Sequence, residues 1–393
     1  MTLPLSYSWR NVRARPMRSL LTASVIALVV LACTLLMGLI SSMQRTFTET
    51  GHELNLIVLR KGSDNDGSSQ MPLEAFQAVR YLDGIARRGE DNAPMISPEL
   101  VVQPFFRTRD GGRENVLVRG VERVALDVHH QVQINDGRMF EPSAGEAIIG
   151  RGVANRYEGA ELGSEIEFGR GRWKVVGIFD ANSTSFESEV WVDVRELAND
   201  AKRTMPFSGV RIRAASKADM DALERRIDDD PRYALDAQAE LLYYAEQSTA
   251  SGTLYIIVVA VAILAGVGAS FGAANTMYAA VQTRTAEIGT LRALGFSRGS
   301  ILWAFQAEAV FLALIGFLLG AVGAIIAAEV LSSALGGVAM SAETFTTSLI
   351  HVSVDGGNLI GALVLSLAIG MASGFGPAWR AARLAPIEAL RKA

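Results

Sequence analysis

Two short patterns carry residue types that catalysis or metal binding would need. Gly268, Ser270 and Gly272 form a Gly-x-Ser-x-Gly pattern, which in hydrolases holds a nucleophilic serine on a strand-to-helix turn with a histidine in reach. Here the pattern falls inside a long apolar run, and none of the four histidines lies in that run. Packing of small residues between helices is the favoured interpretation.

The second pattern is His129-His130 near Asp127 and Asp136, which suggests a metal site. Neighbouring histidines point in different directions, however, and no His-Glu-x-x-His occurs, so a surface turn is favoured. The phosphate-binding pattern Gly-x-x-x-x-Gly-Lys-Ser/Thr is also missing from the sequence. We therefore predict no catalytic residue, no metal site and no cofactor bound by this chain.

The elements around these patterns follow from four long apolar runs. Each exceeds the roughly 20 residues that a helix needs to cross a hydrocarbon core of about 30 Å. We predict transmembrane helices at residues 19–44, 248–283, 301–330 and 357–379. The remaining stretch, 45–247, predicts an extracytoplasmic domain with one or two subdomains.

Arginine and lysine close to the ends of these runs predict their orientation. The segment 331–356 between the third and fourth runs contains none. Basic residues instead precede the first run, occupy 284–300 and fill the tail 380–393: Arg10, Arg13, Arg15, Arg18, Arg284, Arg292, Arg298, Arg380, Arg383, Arg391 and Lys392. Both termini and residues 284–300 are therefore expected in the cytoplasm, and 45–247 and 331–356 outside.

The N-terminal segment, residues 1–18, has a leading and an alternative interpretation. Leu5, Trp9 and Val12 stand at roughly helical spacing among arginines, which predicts an amphipathic helix on the inner leaflet; the alternative is a disordered basic lead. A bacterial lipoprotein signal ending before Cys33 is a further alternative. The apolar run continues beyond Cys33, which favours a transmembrane helix.

The stretch 45–247 shows short alternating apolar segments and short helical ones, which predict an α+β domain. The last helix, 236–247, is predicted as a stalk into the second span. Strands are predicted at 54–60, 100–108, 115–121, 146–150, 164–168, 172–179, 189–192 and 210–214, with helices at 72–82 and 218–229. The fold class is thus an α-helical membrane protein with four transmembrane helices plus an α+β extracytoplasmic domain inserted between helices 1 and 2. The net charge of −4 gives no reason to expect nucleic acid.

Residues 284–300 form the most informative inner segment. Ile288, Leu291 and Leu294 repeat every three residues, with Glu287 and Arg292 beside them, which predicts a short helix with one apolar face that Gly295 can end. Such a connector is suited to dock into a groove on a cytoplasmic partner. The alternative is a plain solvated loop.

Several segments form a recognisable set: Asn275-Thr276-Met277, Arg284-Thr285, Glu287-Ile288-Gly289, Leu291 to Gly295, Glu308-Ala309, Gly316, Gly320, Arg18 to Thr22, and Pro377 to Arg391. Together they resemble the FtsX-like permease domain of ABC transporters of the MacB and LolC/LolE type. A further stretch, Ala147 to Gly150 through Gly163 to Val175–Ile178, is similar to the periplasmic core domain of MacB-type proteins.

The resemblance implies a permease subunit in a bacterial inner membrane that dimerises with an identical or different permease chain. It pairs with cytoplasmic ABC ATPase subunits, which bind ATP and Mg. A periplasmic adaptor and an outer-membrane duct are further partners that relatives use, and lipid surrounds the spans. The resemblance also implies mechanotransmission, in which ATPase closure moves the periplasmic domain. The coupling segment would consist of Arg284, Glu287, Ile288, Leu291, Arg292, Leu294 and Gly295.

Polar and small residues inside the spans complete the site predictions. Asn275 and Glu308 are expected at similar depth from the shared loop, and we predict that they brace it; the alternative is that Glu308 reaches interfacial water. Glycines four residues apart predict close helix packing or a dimer contact. They are Gly268 and Gly272, Gly316 and Gly320, Gly357 and Gly361, and Gly370 and Gly374.

Three functions follow, and the size of the outer domain, residues 45–247, favours the first over the second. The first is a transporter subunit for export, or for extraction of a substrate from the outer face of the membrane. The second is a signalling protein of the FtsX type that activates a periplasmic partner such as a cell-wall hydrolase. A membrane-anchored binding module without an ATPase is a third. Neither the substrate, the direction of transport nor the substrate-contacting residues can be read from the sequence.

Overall fold

The computed structural model describes residues 4–14, 16–89, 92–182, 184–247, 249–335, 338–341 and 347–384. Most of the predicted tail 380–393 lies outside these residues. The chain divides into two compact units. The helical unit comprises Met1–Ser41, Thr253–Leu331 and Val352–Ala393, and the sheet unit comprises Ser42–Gly252 and Ser332–His351.

The described elements alternate between long apolar helices and a strand-rich insertion. The helices are α1 Leu5–Ala14, α2 Pro16–Thr50, α3 Leu73–Arg80, α4 Ala125–Val128, α5 Arg151–Arg156, α6 Val194–Asp200, α7 Lys217–Asp228, α8 Glu240–Gln247, α9 Thr249–Thr283, α10 Thr285–Ala293, α11 Arg298–Leu335 and α12 Gly356–Ala382. The strands are β1 Asn55–Arg60, β2 Arg87–Arg88, β3 Ala93–Pro94, β4 Ile96–Val102, β5 Phe105–Arg107, β6 Arg113–Asn115, β7 Leu117–Val121, β8 Gln133–Gly137, β9 Glu146–Gly150, β10 Glu165–Phe168, β11 Gly171–Asp180, β12 Glu189–Asp193, β13 Gly209–Arg213, β14 Leu235–Ala239, β15 Val338–Ser341 and β16 Thr347–Ile350.

Four of the described helices, α2, α9, α11 and α12, are long and apolar enough to cross a membrane. The sheet-rich insertion between α2 and α9 is the α+β domain, so the predicted fold class is confirmed. The helices α2, α11 and α12 each cover one predicted apolar run and extend beyond it, whereas α9 ends with its run at Thr283. α2 begins at Pro16, the position where proline costs a helix least, because the first helical N–H has no intrahelical acceptor.

Glycines on α11 and α12 allow three helices of the helical unit to approach closely. A Cβ added at Gly316 would lie 2.8 Å from the Ile26 side chain of α2, and one at Gly320 would lie 2.6 Å from the Ala27 carbonyl oxygen. On α12, a Cβ at Gly370 or at Gly374 would lie 2.6 Å from an α11 alanine Cβ. These four glycines stand where only a hydrogen fits.

The other glycine pairs have more room. A Cβ at Gly268 would meet nothing within 4 Å, and one at Gly272 would meet only Val25, at 3.9 Å. On α12, a Cβ at Gly361 would make an ordinary 3.6 Å contact with Met37. Within the described residues, Gly268 and Gly272 therefore lie on an open face of α9.

Ten described strands of the sheet unit form one mixed sheet. Its order is β10-β11-β9-β12-β7-β4-β13-β1-β14, and β8 pairs with β11. The pairs β9 with β11 and β7 with β12 are parallel, whereas the remaining pairs are antiparallel. The tight turn between β10 and β11 lies at Gly169-Arg170-Gly171, the hairpin that the sequence predicts.

Both faces of this sheet are covered. The larger apolar core packs residues such as Val118, Val190 and Val210 against helices α3, α5, α6 and α7. A second cluster on the alternate strand positions includes Ile148, Phe179 and Trp191. Because side chains alternate across a strand, burial on both sides explains why β12 is buried along its whole length.

The segment before the second span differs from the sequence prediction. Residues 236–247 were predicted to form one stalk helix, but Leu235–Ala239 is strand β14 and only Glu240–Gln247 is helical. The residues of β14 have helix-favouring composition, yet pairing of Leu56 to Arg60 with this stretch prevails over local propensity. Likewise, the predicted loop 331–356 contains the hairpin of β15 and β16.

Candidate functional site around helix α10

Helix α10 connects two membrane helices through very short joints. A single residue, Arg284, separates it from α9. At its other end Leu294 is the C-cap and Gly295 has a φ of 92°, the left-handed conformation that commonly ends helices. Because both joints are short, α10 cannot move far without moving α9 or α11.

Arg284 joins three helices through its guanidinium. Its Nη1 donates to Glu308 Oε2 of α11 at 2.9 Å, and its Nε donates to Glu287 Oε2 of α10 at 3.0 Å. Its Nη2 donates to the Tyr7 hydroxyl of α1 at 2.9 Å. The Arg284 guanidinium carbon also lies 4.9 Å from the ring centre of Phe305, a cation–π contact. We call Tyr7, Arg284, Glu287 and Glu308 the Arg284 cluster.

The Arg284 side chain is only 5% exposed, so its charge depends on its partners. Burial alone lowers the pKa of Arg284, but the hydrogen bond with Glu287 and the charge of Glu308 outweigh burial and raise that pKa. Burial and the hydrogen bond to Glu287 also raise the pKa of Tyr7. Arg284 therefore stays cationic, and Tyr7 stays a neutral hydroxyl that both donates and accepts.

Exposed tryptophans indicate the depth of this cluster. Trp303 near the start of α11 is 71% exposed, and Trp379 near the end of α12 is 45% exposed. Tryptophan prefers the boundary between water and lipid. Glu308 lies five residues beyond Trp303, or about 7.5 Å farther along the helix at 1.5 Å per residue. A carboxylate at that depth is costly unless paired, and Arg284 supplies the pair.

The apolar residues of α10 do not share one outward face. Ile288 is 1% exposed and packs with Met277, Val281 and Phe305, and Leu291 is partly buried against the same cluster. Leu294 is 67% exposed. A step of three residues turns a helix by about 300°, so residues spaced by three drift by about 60° per step. The predicted single docking face is therefore corrected.

The exposed surface of α10 is narrower and more polar than expected. Glu287, Thr290, Ala293 and Leu294 are exposed, and Leu294 is its large apolar residue. Arg292 points back instead, with its Nη1 donating to the Phe296 carbonyl at 3.0 Å. We call Glu287, Thr290, Ala293 and Leu294 the outer face of α10.

Asn275 and Glu308 do not form the predicted brace. Asn275 is exposed on α9, whereas Glu308 is 8% exposed and pairs with Arg284. The prediction compared depths along two helices but carried no information on which way each residue faces. Arg284, rather than Asn275, contacts Glu308.

The amphipathic helix α1 packs against protein more than the sequence suggests. Val12 is buried with residues of α9 and α11, and Ser8 Oγ donates to the Ala304 carbonyl at 2.9 Å. Trp9 remains 48% exposed and makes an edge contact with Phe311. Sequence reasoning missed Tyr7 because no spacing rule links it to residues near position 284.

The two patterns that suggested a nucleophile and a metal site, at Ser270 and at His129-His130, make ordinary structural contacts. Ser270 Oγ donates to the Gly266 carbonyl within α9 at 2.7 Å. His129 Nε2 lies 2.7 Å from Glu99 Oε1, and Arg88 pairs with Asp127. In the described ranges, no group of three metal-ligating side chains comes together.

The sheet unit contains a buried ionic cluster that the sequence analysis missed. Two arginines and four carboxylates, each buried, form a network across strands β4, β7, β12 and β13. Its members are Asp66, Glu99, Arg119, Glu189, Arg211 and Glu240. Burial alone raises the pKa of Glu99, but the charges of Arg211 and Arg119 hold it well below its usual value.

Glu240 ties the first residue of α8 to this network and to the chain that follows α2. Its Oε1 accepts from Arg211 Nε at 3.2 Å, and its Oε2 accepts from Asn55 Nδ2 at 2.7 Å. The backbone N–H of His52 donates to the same Oε2 at 3.1 Å. One carboxylate thus holds together the two places where the chain enters and leaves the sheet unit.

Family models match the chain in two segments that cover most of its length. Residues 19–230 match the MacB-like periplasmic core domain. Residues 256–386 match the FtsX-like permease C-terminal domain.

Individual relatives agree with these matches. The macrolide export ATP-binding/permease protein MacB of Sodalis glossinidius is 27% identical over 98% of this chain and 60% of its own length. An uncharacterized ABC transporter permease of Methanocaldococcus jannaschii is 27% identical over 66% of this chain and 65% of its own. The chain thus spans less than two thirds of either relative. The crystal structure of the periplasmic region of MacB from Actinobacillus actinomycetemcomitans matches 49% of this chain and 91% of its own, with 9% identity and a TM-score of 0.38.

Proposed function

The chain belongs to the FtsX-like, MacB-type family of ABC transporter permeases, and from this premise we propose that it couples ATP hydrolysis on a partner subunit to movement of its extracellular domain. In this proposal α10 is the coupling helix. Its outer face contacts a cytoplasmic ABC ATPase, and the Arg284 cluster passes the displacement of α10 to α1 and α11.

One observation carries this proposal above the others. Arg284 fastens α10 to α1 and α11 with three hydrogen bonds, while Leu294 on the outer face is exposed. A helix that is held by hydrogen bonds on one side and exposes a leucine on the other suits force transfer. A connector that served only to join two spans would need neither feature.

The family and the names of relatives support a set of partners. MacB of Sodalis glossinidius is named an ATP-binding/permease protein. We propose that ATP and Mg are bound by separate ATPase subunits and that the permease acts as a dimer, of identical or different chains. We also propose that both termini and α10 face the cytoplasm of a bacterial inner membrane. A periplasmic adaptor and an outer-membrane duct would complete an export assembly.

The extracellular domain favours transport over signalling. Its match to the MacB-like periplasmic core covers residues 19–230, more than half of the chain. A protein that only activates a cell-wall hydrolase needs a partner surface, whereas a MacB-like domain suits handling of substrate or adaptor. Export, or extraction of substrate from the outer face, is therefore the function we propose.

Replacement of one exposed leucine tests the docking. Leu294→Asp places a charge on the outer face of α10 without touching the buried cluster, so the chain should fold normally and lose co-purification with its ATPase at least tenfold. The matched control is Leu162→Asp, a half-exposed leucine of the sheet unit, 50% exposed. Retention of the ATPase by Leu294→Asp, or its equal loss from the control, would overturn the docking proposal.

A further inference from the structure

Helix α9 is the least buried of the four long apolar helices in the described part of the chain. In its most apolar stretch 17% of the residues are buried, compared with 39% in α2, 39% in α11 and 33% in α12. Its packed side carries Ala269, Ala273 and Met277, which are 5%, 1% and 3% exposed. The opposite side is left to face either lipid or another protein chain in the membrane.

That opposite side, the open face of α9, consists of Leu264, Gly268, Phe271, Gly272 and Asn275, each of them exposed. From Leu264 to Asn275 the face advances by four, three and four residues, the spacing at which one helix packs along another. Leu264 is 72% and Phe271 is 75% exposed, and a Cβ added at Gly268 would meet nothing within 4 Å. The face therefore has room for a closely packed neighbour.

The neighbouring spans expose a different kind of surface. Their exposed sides are mainly bulky and apolar, as on α11 and α12 at Leu318, Val322, Ile326, Val330, Ile360, Val364, Met371 and Phe375. Such side chains are satisfied by lipid. Contacts between membrane helices are instead enriched in small residues and in polar residues that hydrogen-bond across the contact. The open face of α9 combines both types.

Asn275 gives the open face a polar group that lipid cannot satisfy. It lies eight residues before Thr283, the last residue of α9, which is about 12 Å along the helix at 1.5 Å per residue. Its side chain is exposed and forms no hydrogen bond with another residue of the described ranges. Polar side chains inside a span face protein or a water-filled cavity in most membrane proteins, because hydrocarbon offers them no partner.

The chemistry of this amide points to a second copy of the chain. A side-chain amide has a carbonyl acceptor and an NH₂ donor, so two asparagines placed opposite each other satisfy one another. Two copies inserted in the same orientation have parallel α9 helices. A two-fold axis between them brings each residue near its own counterpart. Asn275 of one copy then meets Asn275 of the other at the same depth.

We propose that the second permease chain of the dimer is another copy of this chain, and that the two copies meet along the open face of α9. The paired Asn275 amides exchange hydrogen bonds and fix the register, as a single asparagine does in coiled coils. Gly268 and Gly272 leave room for Leu264 and Phe271 of the other copy. This inference rests on the dimer of the proposed function and adds to it which chain and which helix face take part.

Disulfide formation in membranes tests which face the two copies share. Leu264→Cys and Phe271→Cys, each in a Cys33→Ser background, should give a covalent dimer under mild oxidation. Leu318→Cys on α11 and Val364→Cys on α12, which are similarly exposed at 60% and 62%, are the controls and should stay uncrosslinked.

Native mass spectrometry of the purified Cys33→Ser chain separates the possible failures. A chain that is dimeric but does not crosslink at Leu264 or Phe271, or that crosslinks at Leu318 or Val364 instead, would overturn the open-face contact and leave the dimer of the proposed function standing. A chain that is monomeric on its own and pairs only with a different permease chain would overturn the identity of the partner.

Replacements on the open face test the two kinds of contact. Gly268→Ile should raise the dissociation constant of the dimer at least tenfold, because a bulky side chain fills the space that the second copy needs. Gly268→Ala is the matched control and should change it little, since alanine is also small. Asn275→Leu should raise it at least fivefold, whereas Gln44→Leu, which removes an exposed amide from α2, should not. Fluorescence energy transfer between labelled chains on dilution in detergent measures all four, and an unchanged constant for a folded Asn275→Leu chain would overturn the role of the amide.

Discussion

At the scale of single residues, a buried ion pair allows a carboxylate to lie inside a membrane helix. Glu308 is acceptable at its depth because Arg284 neutralises it, and Arg284 is held in turn by Glu287 and Tyr7. Both Arg284 and Glu308 could be identified from the sequence as polar residues near one membrane boundary. Their pairing could not, because residues 24 positions apart on different helices leave no periodic signal.

Replacing one member of this ion pair should lower the stability of the chain more than replacing both members. Arg284→Gln removes the guanidinium that pairs with the buried Glu308 carboxylate, which we expect to lower stability by about 3–5 kcal/mol. The double change Arg284→Gln with Glu308→Gln should recover part of this loss, because no charge is left buried. Thermal unfolding of the purified chain measures both. A double variant as unstable as the sum of the single ones would show that the two side chains do not interact.

Two histidines predict a pH dependence in the sheet unit. The rings of His52 and His130 lie 4.7 Å apart, and His52 Nδ1 accepts a hydrogen bond from the Leu54 N–H at 3.1 Å. Burial and the charge of Arg213 lower the pKa of both, and Glu240 opposes that shift. Folded His52 therefore binds protons less readily than the unfolded chain.

The direction of the pH dependence follows from this difference in proton binding between the folded and the unfolded chain. The neutral histidines contribute their full stability to the folded state above about pH 6.5, the pKa of histidine in an unfolded chain. As the pH falls from there toward the lower pKa values of the folded state, the unfolded chain binds protons first and the folded state loses stability. Protection of the Leu54 amide against hydrogen exchange should therefore be weaker at pH 5.5 than at 7.5, after correction for the intrinsic exchange rate. The double change His52→Asn with His130→Gln should remove the extra loss, and exposed His351→Ala should not.

At the scale of elements, the sequence predicts which segments are helices far better than which way they face. The four apolar runs, the short helix near 284–300 and most strands of the sheet unit are recognisable from composition and period. Which side of α10 is buried could not be predicted in this way. Ile288, Leu291 and Leu294 point in different directions around the helix, and only tertiary packing determines which of them are buried. β14 was missed because its pairing partner, β1, lies far away in the chain.

Because α2 and α11 pack closely at Gly320, we predict that a larger residue at this position destabilises the chain. Gly320→Ala would place a Cβ 2.6 Å from the Ala27 carbonyl oxygen, so α2 and α11 must separate. We expect a loss of about 1–3 kcal/mol, as for other overpacked sites. Gly268→Ala, with nothing within 4 Å, is the matched control and should leave the unfolding midpoint unchanged. Equal midpoints for the two variants would contradict the role of Gly320 in packing.

At the scale of the whole molecule, the proposed force transfer would act through the two chain segments that enter and leave the sheet unit. Glu240 ties these segments together inside that unit, because it holds α8, Asn55 and the His52 backbone to Arg211 of the sheet. Sequence alone indicates a large insertion between two spans. It does not reveal this attachment, since the cluster assembles from residues distant in the chain.

Weakening the contacts of Glu240 should increase local opening near this residue more than opening of the whole sheet. Glu240→Gln keeps the shape of the side chain and removes its charge, which we expect to cost about 1–3 kcal/mol. Hydrogen exchange should accelerate at residues 52–56 and 240–247 more than in the central strands. Glu167→Gln, at an exposed pair on edge strand β10, is the control and should change little. Uniform acceleration throughout the sheet would contradict a local anchoring role.

The proposed coupling requires that α10 face the cytoplasm, where an ATPase subunit can reach it. Labelling of intact cells with a membrane-impermeant thiol reagent tests it, using Leu294→Cys and Leu162→Cys, each in a Cys33→Ser background. Leu162→Cys should react in intact cells, and Leu294→Cys should react only after the membrane is opened. Reaction of Leu294→Cys in intact cells would place α10 on the same side as the sheet unit and contradict the account.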